Sequence, residues 1–153
     1  MSETPPAGLG VSLRQAWAGY RRQLEQELAA AGFGDRGLPD GRVLALCTGA
    51  SEVTISQIGR ELGITRQGAS KIVAVLRDRG YVALSPSPTD RREKIVKPTR
   101  RALEFLAAQR EAARRIEARV RAELGDDALD ALDHLLAVLG VADKSLRTDR
   151  LRV

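Results

Sequence analysis

One stretch decides the fold of this chain, and it runs from Ser56 to Thr99: SQIGRELGITRQGASKIVAVLRDRGYVALSPSPTDRREKIVKPT. Its pattern predicts a helix, a tight turn, a second helix, a strand, a charged loop and a second strand. The predicted segments are Ser56–Leu62, Gly63–Ile64, Thr65–Arg79, Tyr81–Leu84, Ser87–Arg92 and Lys94–Lys97. A helix-turn-helix followed by a short hairpin is a winged helix, a shape that places one helix in the DNA major groove and a loop beside it.

The turn between the two predicted helices follows from the residue types at its ends. Gly63 can take the left-handed conformation that ends a helix, and Thr65 can cap the next helix. Gly59 is small where two helices must cross closely. Apolar residues at helical spacing predict the inward face of each helix. They are Ile55, Ile58 and Leu62 in the first helix and Ala69, Ile72, Val73 and Leu76 in the second.

The opposite face of the second helix is polar, cationic and short-chained near its N-terminus. It carries Gln67, Ser70, Lys71 and Ala74, with Arg66 at its flank. The N-terminal part of such a helix usually meets base edges, so this face favours DNA recognition. An ordinary amphipathic helix with a solvated outer face is the alternative, and the wing that follows at the right distance argues against it.

Four segments of the stretch form a family pattern: Gly59–Gly63, Thr65–Lys71, Leu76–Val82 and Thr89–Arg92. Together they resemble the MarR family of bacterial winged helix-turn-helix transcriptional regulators. The Asp-Arg-Arg triplet at 90–92, ten residues after Gly80, is the most specific piece. One departure follows the wing, where the family usually has Leu-Thr and a Gly three residues on. Here Pro98 precedes Thr99, and Ala102 stands at the later position.

The resemblance implies a mainly α fold with a small β-hairpin wing, a homodimer joined through its N- and C-terminal helices, and double-stranded DNA as partner. The DNA-binding residues expected are Thr65, Arg66, Gln67, Ser70, Lys71, Asp90, Arg91, Arg92 and Lys94. Asp90 resembles the family residue that holds the wing arginine by an ion pair. The expected function is regulation, as a repressor, at a palindromic operator, with modulation by an effector that the sequence does not identify.

Positive charge is concentrated in the winged-helix stretch. The 153-residue chain has a net charge of +5, from 25 Lys and Arg against 20 Asp and Glu. Residues 56–101 hold 11 Lys and Arg against 4 Asp and Glu, or +7, so the remainder holds 14 against 16, or −2. Excess positive charge confined to one motif suits a polyanionic partner. A generally basic ribosomal or membrane-surface protein would not concentrate its charge in this way.

The rest of the chain is predicted to be helical, without strand patterning. Helices are expected over Gly10–Ala31, Asp40–Thr48, Thr99–Leu124 and from Asp126 or Asp127 to Gly140. The inward residues of the third are expected to be Leu103, Leu106, Ala113, Ile116, Val120 and Leu124. The expected organisation is a mobile tail at 1–9, a dimerisation helix at 10–34, a DNA-binding lobe at 40–98, dimerisation helices at 99–142 and a polar tail at 143–153.

The terminal helices carry more apolar surface than a small winged helix can cover by itself. A symmetric homodimer is the commonest solution, and packing within the same chain as one larger core is the alternative. The interface residues expected are Leu13, Trp17, Leu129, Leu132 and Leu136. Trp17 and Tyr20 are also candidates for an effector pocket, with core packing in the dimer as the alternative.

No segment of the sequence predicts export, membrane insertion or catalysis. A single cysteine, Cys47, excludes an internal disulfide framework, and these features favour the cytoplasm. With one Cys and one His, His134, a dense metal site of those ligands cannot form, and neither a cofactor nor an enzyme activity is expected. The competing class is a winged helix that binds protein. It would need an apolar outer face on the second helix and a wing without arginine.

Overall fold

The computed structural model describes residues 8–34, 37, 39–49 and 51–140. Their elements are α1 Leu9–Ala30, α2 Gly41–Cys47, β1 Val53–Thr54, α3 Ile55–Leu62, α4 Arg66–Asp78, β2 Val82–Pro86, β3 Lys94–Pro98, α5 Arg100–Leu124 and α6 Asp126–Gly140. This mainly helical architecture with a small antiparallel sheet confirms the predicted fold class. The tail expected at 143–153 lies outside the described residues, as do residues 1–7 of the tail expected at 1–9.

Internal contacts divide the chain into two compact units. The winged-helix unit is Glu25–Gln109, and the terminal-helix unit combines Met1–Leu24 with Arg110–Val153. Both boundaries fall inside long helices, α1 and α5, rather than in loops.

The sheet of the winged-helix unit has three antiparallel strands in the order β1-β3-β2. Leu84 of β2 and Val53 of β1 both pair with Val96 of β3. The expectation of no strand outside the wing was therefore wrong. The reason is that β1 has only two residues, too few to show alternation, and that Thr54 immediately begins the next element as the N-cap of α3.

Local hydrogen bonds cap the start of each helix of the helix-turn-helix, and a glycine ends the first. Thr54 and Gln57 form a reciprocal capping box at the start of α3. Gly63 ends that helix at φ 66°, in the left-handed region, as predicted. Thr65 caps α4, also as predicted, because its side chain accepts a hydrogen bond from the Gly68 amide at 3.0 Å. A Cβ on Gly59 would lie 3.1 Å from the Ile64 carbonyl oxygen, a tight contact that glycine avoids.

An aromatic cluster lies in the core of the winged-helix unit. Tyr81 and Phe105 are fully buried with ring centroids 5.6 Å apart, and Phe33 meets Phe105 edge-on at 5.5 Å. The Arg101 guanidinium lies 5.1 Å from the Tyr81 ring centroid and 5.7 Å from that of Phe33. Such cation–π contacts add to the stability that the buried rings provide.

The first turns of α5 are rotated relative to the predicted inward face. Leu103, expected inside, is 52% exposed, whereas Ala102 and Phe105 are fully buried. The cause is Thr99, whose hydroxyl donates to the Gly80 carbonyl at 2.6 Å and whose backbone amide donates to the Tyr81 carbonyl at 3.0 Å. This anchor fixes the helix start so that position 105 faces the aromatic cluster. Farther along, Ile116 is buried as expected, Leu106, Ala113 and Val120 are half-buried, and Leu124 is 64% exposed.

The terminal-helix unit leaves a large apolar surface uncovered in the single chain. Its buried apolar residues are Leu24, Ala112 and Ile116. Within Asp126–Gly140 of α6 no residue is buried. The large exposed apolar residues of this helix are Leu132, Leu135, Leu136, Val138 and Leu139, and Leu129 is half-buried. None of the helices in the described ranges is long and apolar enough to cross a lipid bilayer.

Candidate nucleic-acid interface

Helix α4 presents one buried and one exposed face, as its periodicity predicts. Ala69, Val73 and Leu76 are buried in the winged-helix unit, and Ile72, also expected inward, is half-buried. Thr65, Arg66, Gln67, Ser70 and Lys71 are all exposed, whereas Ala74, expected on the outer face, is half-buried. An uncharged polar side chain such as Gln67 or Ser70 near the N-terminus of an exposed helix is suited to hydrogen bonds with base edges.

The wing between β2 and β3 is shaped by hydrogen bonds within its own loop. Ser87 is buried, and its hydroxyl accepts from the amides of Thr89 and Asp90 at 3.3 and 3.4 Å. Backbone bonds from Ser87 to the Glu93 carbonyl, and from Glu93 to the Asp90 carbonyl, close the loop at 3.1 and 3.0 Å. The loop is therefore held in one shape, and Arg91 and Arg92 are exposed at its end.

Asp90 acts on the wing backbone. Its carboxylate accepts a hydrogen bond from the backbone amide of Arg92 at 2.9 Å. The ion pair to the arginine side chain, which the family resemblance implies, is replaced in this structure by that backbone contact. Asp90 thus sets the position of Arg92 through the main chain.

Arg66 connects α4 to the wing. Its Nε donates to the Ser56 hydroxyl at 3.0 Å, and its Nη2 donates to the Arg92 carbonyl at 3.1 Å. Ser56 in turn donates to the Glu93 carboxylate at 2.5 Å. The sequence analysis placed Arg66 in the DNA-binding set and missed Ser56 and Glu93, because those two partners are 37 positions apart in the chain.

A groove of about 260 Å³ lies between α4 and the wing. It is lined by Ile55, Arg66, Ser70, Val73, Ala74, Arg77, Leu84, Arg92 and Lys94. Four of these residues are cations and none is a carboxylate, so the groove favours a polyanion. Arg77 was missing from the predicted set, although its helical spacing of seven from Ser70 places both on one face.

Trp17 and Tyr20, the candidates for an effector pocket, stack on each other in α1. Their ring centroids are 5.8 Å apart at an interplanar angle of 17°. Burial raises the pKa of Tyr20, and the nearby Glu117 carboxylate raises it further. Trp17 is 61% exposed, so the pair forms an open aromatic surface in the single chain. Its role in effector binding stays a prediction.

The described residues bring together no group of three or more His, Cys, Asp or Glu that could hold a metal ion. His134 is exposed on α6.

Cys47 is expected to react slowly and not to act as an oxidation sensor. The residue is buried, and burial raises the pKa of its thiol to about 11. A rise from the ordinary 9.0 lowers the thiolate fraction at neutral pH about 100-fold. The rate of reaction with an aromatic disulfide at pH 8 should therefore be at least that much lower in the folded protein than in denaturant. Loss of DNA binding in mild peroxide that thiol reverses, and that Cys47→Ser prevents, would contradict this.

Comparisons with known proteins agree with this geometry. Residues 37–93 match the family model described as MarR family. The chain is similar to a solved structure of the transcriptional repressor CouR bound to a 23-mer DNA duplex, with 27% identity and a TM-score of 0.69 over 91% of this chain and 99% of that one. No curated protein matches the sequence.

Two further solved structures share the fold at lower identity. One is wild-type MarR from E. coli in its apo form, with 21% identity and a TM-score of 0.62 over 90% of this chain and 98% of that one. The other is Streptococcus pneumoniae FabT in complex with DNA, with 18% identity and a TM-score of 0.70 over 86% and 92%.

Proposed function

Because the chain is a MarR-family winged-helix DNA-binding transcription regulator, we propose that it represses transcription by binding a palindromic operator as a homodimer. In this function α4 enters the major groove and the wing lies along the neighbouring minor groove or phosphates. The observation that carries the proposal is the groove between α4 and the wing, lined by four cations and no carboxylate. The exposed polar face of α4 beside it supplies the groups that read sequence.

The competing interpretation, a protein-binding winged helix, fits these surfaces less well. Gln67, Ser70 and Lys71 make the exposed face of α4 polar, whereas a protein-binding face would be apolar. Arg91 and Arg92 are exposed on the wing, where they are available to phosphates. Arginine at this place is suited to both phosphate and minor-groove contacts.

The uncovered apolar surface of the terminal-helix unit supports a homodimer. Leu132 and Leu136 of α6 are 42% and 45% exposed in the single chain, and Trp17 of α1 is 61% exposed. A second copy of this chain is the partner that would cover the same surface on both sides of a two-fold axis. Such symmetry requires two half-sites about 34–36 Å apart, one on each successive major groove.

The proposal also includes repression of transcription and modulation by an effector. CouR is described as a transcriptional repressor and was solved with a DNA duplex, which supports repression by occupancy of a promoter. The stacked pair of Trp17 and Tyr20 is the candidate surface for an aromatic effector. A regulator that binds the bacterial chromosome acts in the cytoplasm, where we place this protein.

The test is selection of duplexes by the full-length wild-type protein, from fragments of the host genome and from a random 40-base-pair library. We expect enrichment of one inverted repeat with half-site centres about one helical turn apart. Binding stoichiometry should be two chains per duplex, and a single half-site should bind much more weakly. A chain that enriches no duplex from either source would be the protein-binding winged helix instead.

A further inference from the structure

The guanidinium of Arg66 is held by contacts within the protein, although the side chain is exposed. Its guanidinium donates to Ser56 of α3 and to the Arg92 carbonyl of the wing, and its Nε lies 3.6 Å from the Glu93 carboxylate. Two of the donor nitrogens are thus directed at the protein from a residue on the exposed face of α4. A residue whose only role was to bind phosphate would point its donors at solvent instead.

Glu93 is the point at which this network reaches the wing. Its backbone closes the wing loop through Ser87 and Asp90, while its carboxylate accepts the Ser56 hydroxyl at 2.5 Å. The Glu93 side chain is only 21% exposed, although it is the sole acidic group between Arg91 and Lys97. A carboxylate in a surface that binds a polyanion opposes binding by simple Coulomb repulsion, so its presence there calls for a compensating role.

The network holds the main chain of Arg92 from both sides. The Arg92 amide donates to the Asp90 carboxylate at 2.9 Å, and the Arg92 carbonyl accepts from Arg66 at 3.1 Å. With both peptide groups fixed, the direction in which the exposed Arg92 side chain leaves the wing is also fixed relative to α4. Charge-assisted hydrogen bonds of this kind are stronger than neutral ones.

We propose that Arg66, Ser56 and Glu93 form a tether that positions the wing arginine relative to the recognition helix, so that α4 and the wing bind the operator as one rigid surface. The inference rests on the proposed function, and it assigns Arg66 and Glu93 as positioning residues for DNA recognition. Arg66 then contributes through geometry, and Arg92 makes the DNA contact.

The proposal predicts that Glu93→Ala weakens operator binding, which is the opposite of what the loss of a negative charge alone would do. Removal of a negative charge from a DNA-binding surface should by itself strengthen binding to all DNA. Loss of the tether should instead weaken operator binding about tenfold, as expected for loss of one charge-assisted hydrogen bond. Affinity for random DNA should change less, because a loosened wing can still place Arg92 against a phosphate of any duplex.

Arg66→Lys separates positioning from charge. Lysine keeps the positive charge, but as a single ammonium it cannot hold Ser56 and the Arg92 carbonyl together. We expect Arg66→Lys to lower operator affinity about as much as Glu93→Ala. The salt dependence of binding should be unchanged, because Arg92 keeps its charge and can still reach phosphates from a loosened wing. The double variant should be no weaker than either single variant, since both break one tether.

The experiment measures affinities of these variants for the inverted repeat selected by the wild type and for a scrambled duplex, over a range of salt concentrations. Glu52→Ala is the charge-matched control, because Glu52 pairs with Lys97 at 2.9 Å on an exposed surface outside the tether. It should leave the ratio of operator to scrambled affinity unchanged. In the DNA-free protein, amide exchange at Arg92 and Glu93 should accelerate in Arg66→Lys and not in Glu52→Ala.

Three results would overturn the tether. These are stronger operator binding by Glu93→Ala, a salt slope that falls in Arg66→Lys, or unchanged wing amide exchange in Arg66→Lys. If Glu93→Ala fails to fold, Arg66→Lys still decides, since that side chain is 59% exposed. Failure of the wild type to select any duplex would overturn the proposed function instead, and the amide exchange would then still report on the tether.

Discussion

Replacement of Leu132 and Leu136 by glutamate is expected to convert the homodimer to a monomer and to abolish tight operator binding. Both side chains are exposed in the single chain and lie one helical turn apart on α6. In a dimer interface each new carboxylate would be buried without a partner, at a cost of several kcal/mol per site. Sedimentation at micromolar concentration should show the wild type as dimer and the double variant as monomer.

The matched control replaces the same two residues by methionine. Methionine keeps the apolar surface and nearly the same volume, so the Leu132→Met/Leu136→Met protein should remain a dimer and bind the selected repeat normally. The monomeric glutamate variant should still unfold cooperatively, because Asp126–Gly140 buries no residue within its own chain. A glutamate variant that sediments as dimer, or a wild type that sediments as monomer, would show that α6 does not form the interface.

The helix-turn-helix was predictable because its signals are local. Gly63 at φ 66° and Gly80 at φ 78° adopt the left-handed backbone that few other residues tolerate, so each glycine in the sequence already indicated a helix end. Thr65 caps α4 through a contact only three residues away. Such features need no knowledge of the rest of the fold.

The elements that the sequence did not predict depend on partners far along the chain. β1 exists because Val53 pairs with Val96 of a distant strand, and two residues carry no pattern of their own. The rotation of α5 is set by Thr99 bonding to Gly80 and Tyr81, which brings Phe105 inward. Periodicity fixes the spacing of an apolar face, but a distant anchor decides which of two neighbouring faces is buried.

The candidate site also combines residues that local sequence predicted with contacts that only the fold reveals. Gln67, Ser70 and Lys71 are exposed on α4, as helical periodicity alone predicted. The engagement of Arg66 with the Arg92 carbonyl joins residues 26 positions apart and became visible only in the folded chain. Sequence therefore predicts which side chains face outward, and the fold decides which of those are already held by the protein.

The wing arginine and the recognition helix should contribute differently to DNA binding, and Arg92→Ala is expected to have the larger effect on overall affinity. The exposed Arg92 lines the groove beside α4, where it can reach phosphate or the minor groove. Its loss should weaken binding to all sequences and flatten the salt dependence by a slope of about one per phosphate contact. A homodimer loses two such contacts, so the slope should fall by about two.

Gln67→Ala should act on sequence discrimination instead. Gln67 is uncharged and exposed at the N-terminal end of α4, and a glutamine can make a paired hydrogen bond to adenine worth roughly 1–3 kcal/mol of discrimination. Its loss should lower operator affinity by more than random-DNA affinity, with the salt slope preserved.

The ratio of the two affinities, measured across salt concentrations for wild type, Gln67→Ala, Arg91→Ala and Arg92→Ala, separates the two roles. That ratio should fall for Gln67→Ala and change less for the arginine variants. If Arg91→Ala and Arg92→Ala both keep the wild-type affinity and salt slope, the wing does not touch DNA, and recognition must rest on α4 alone.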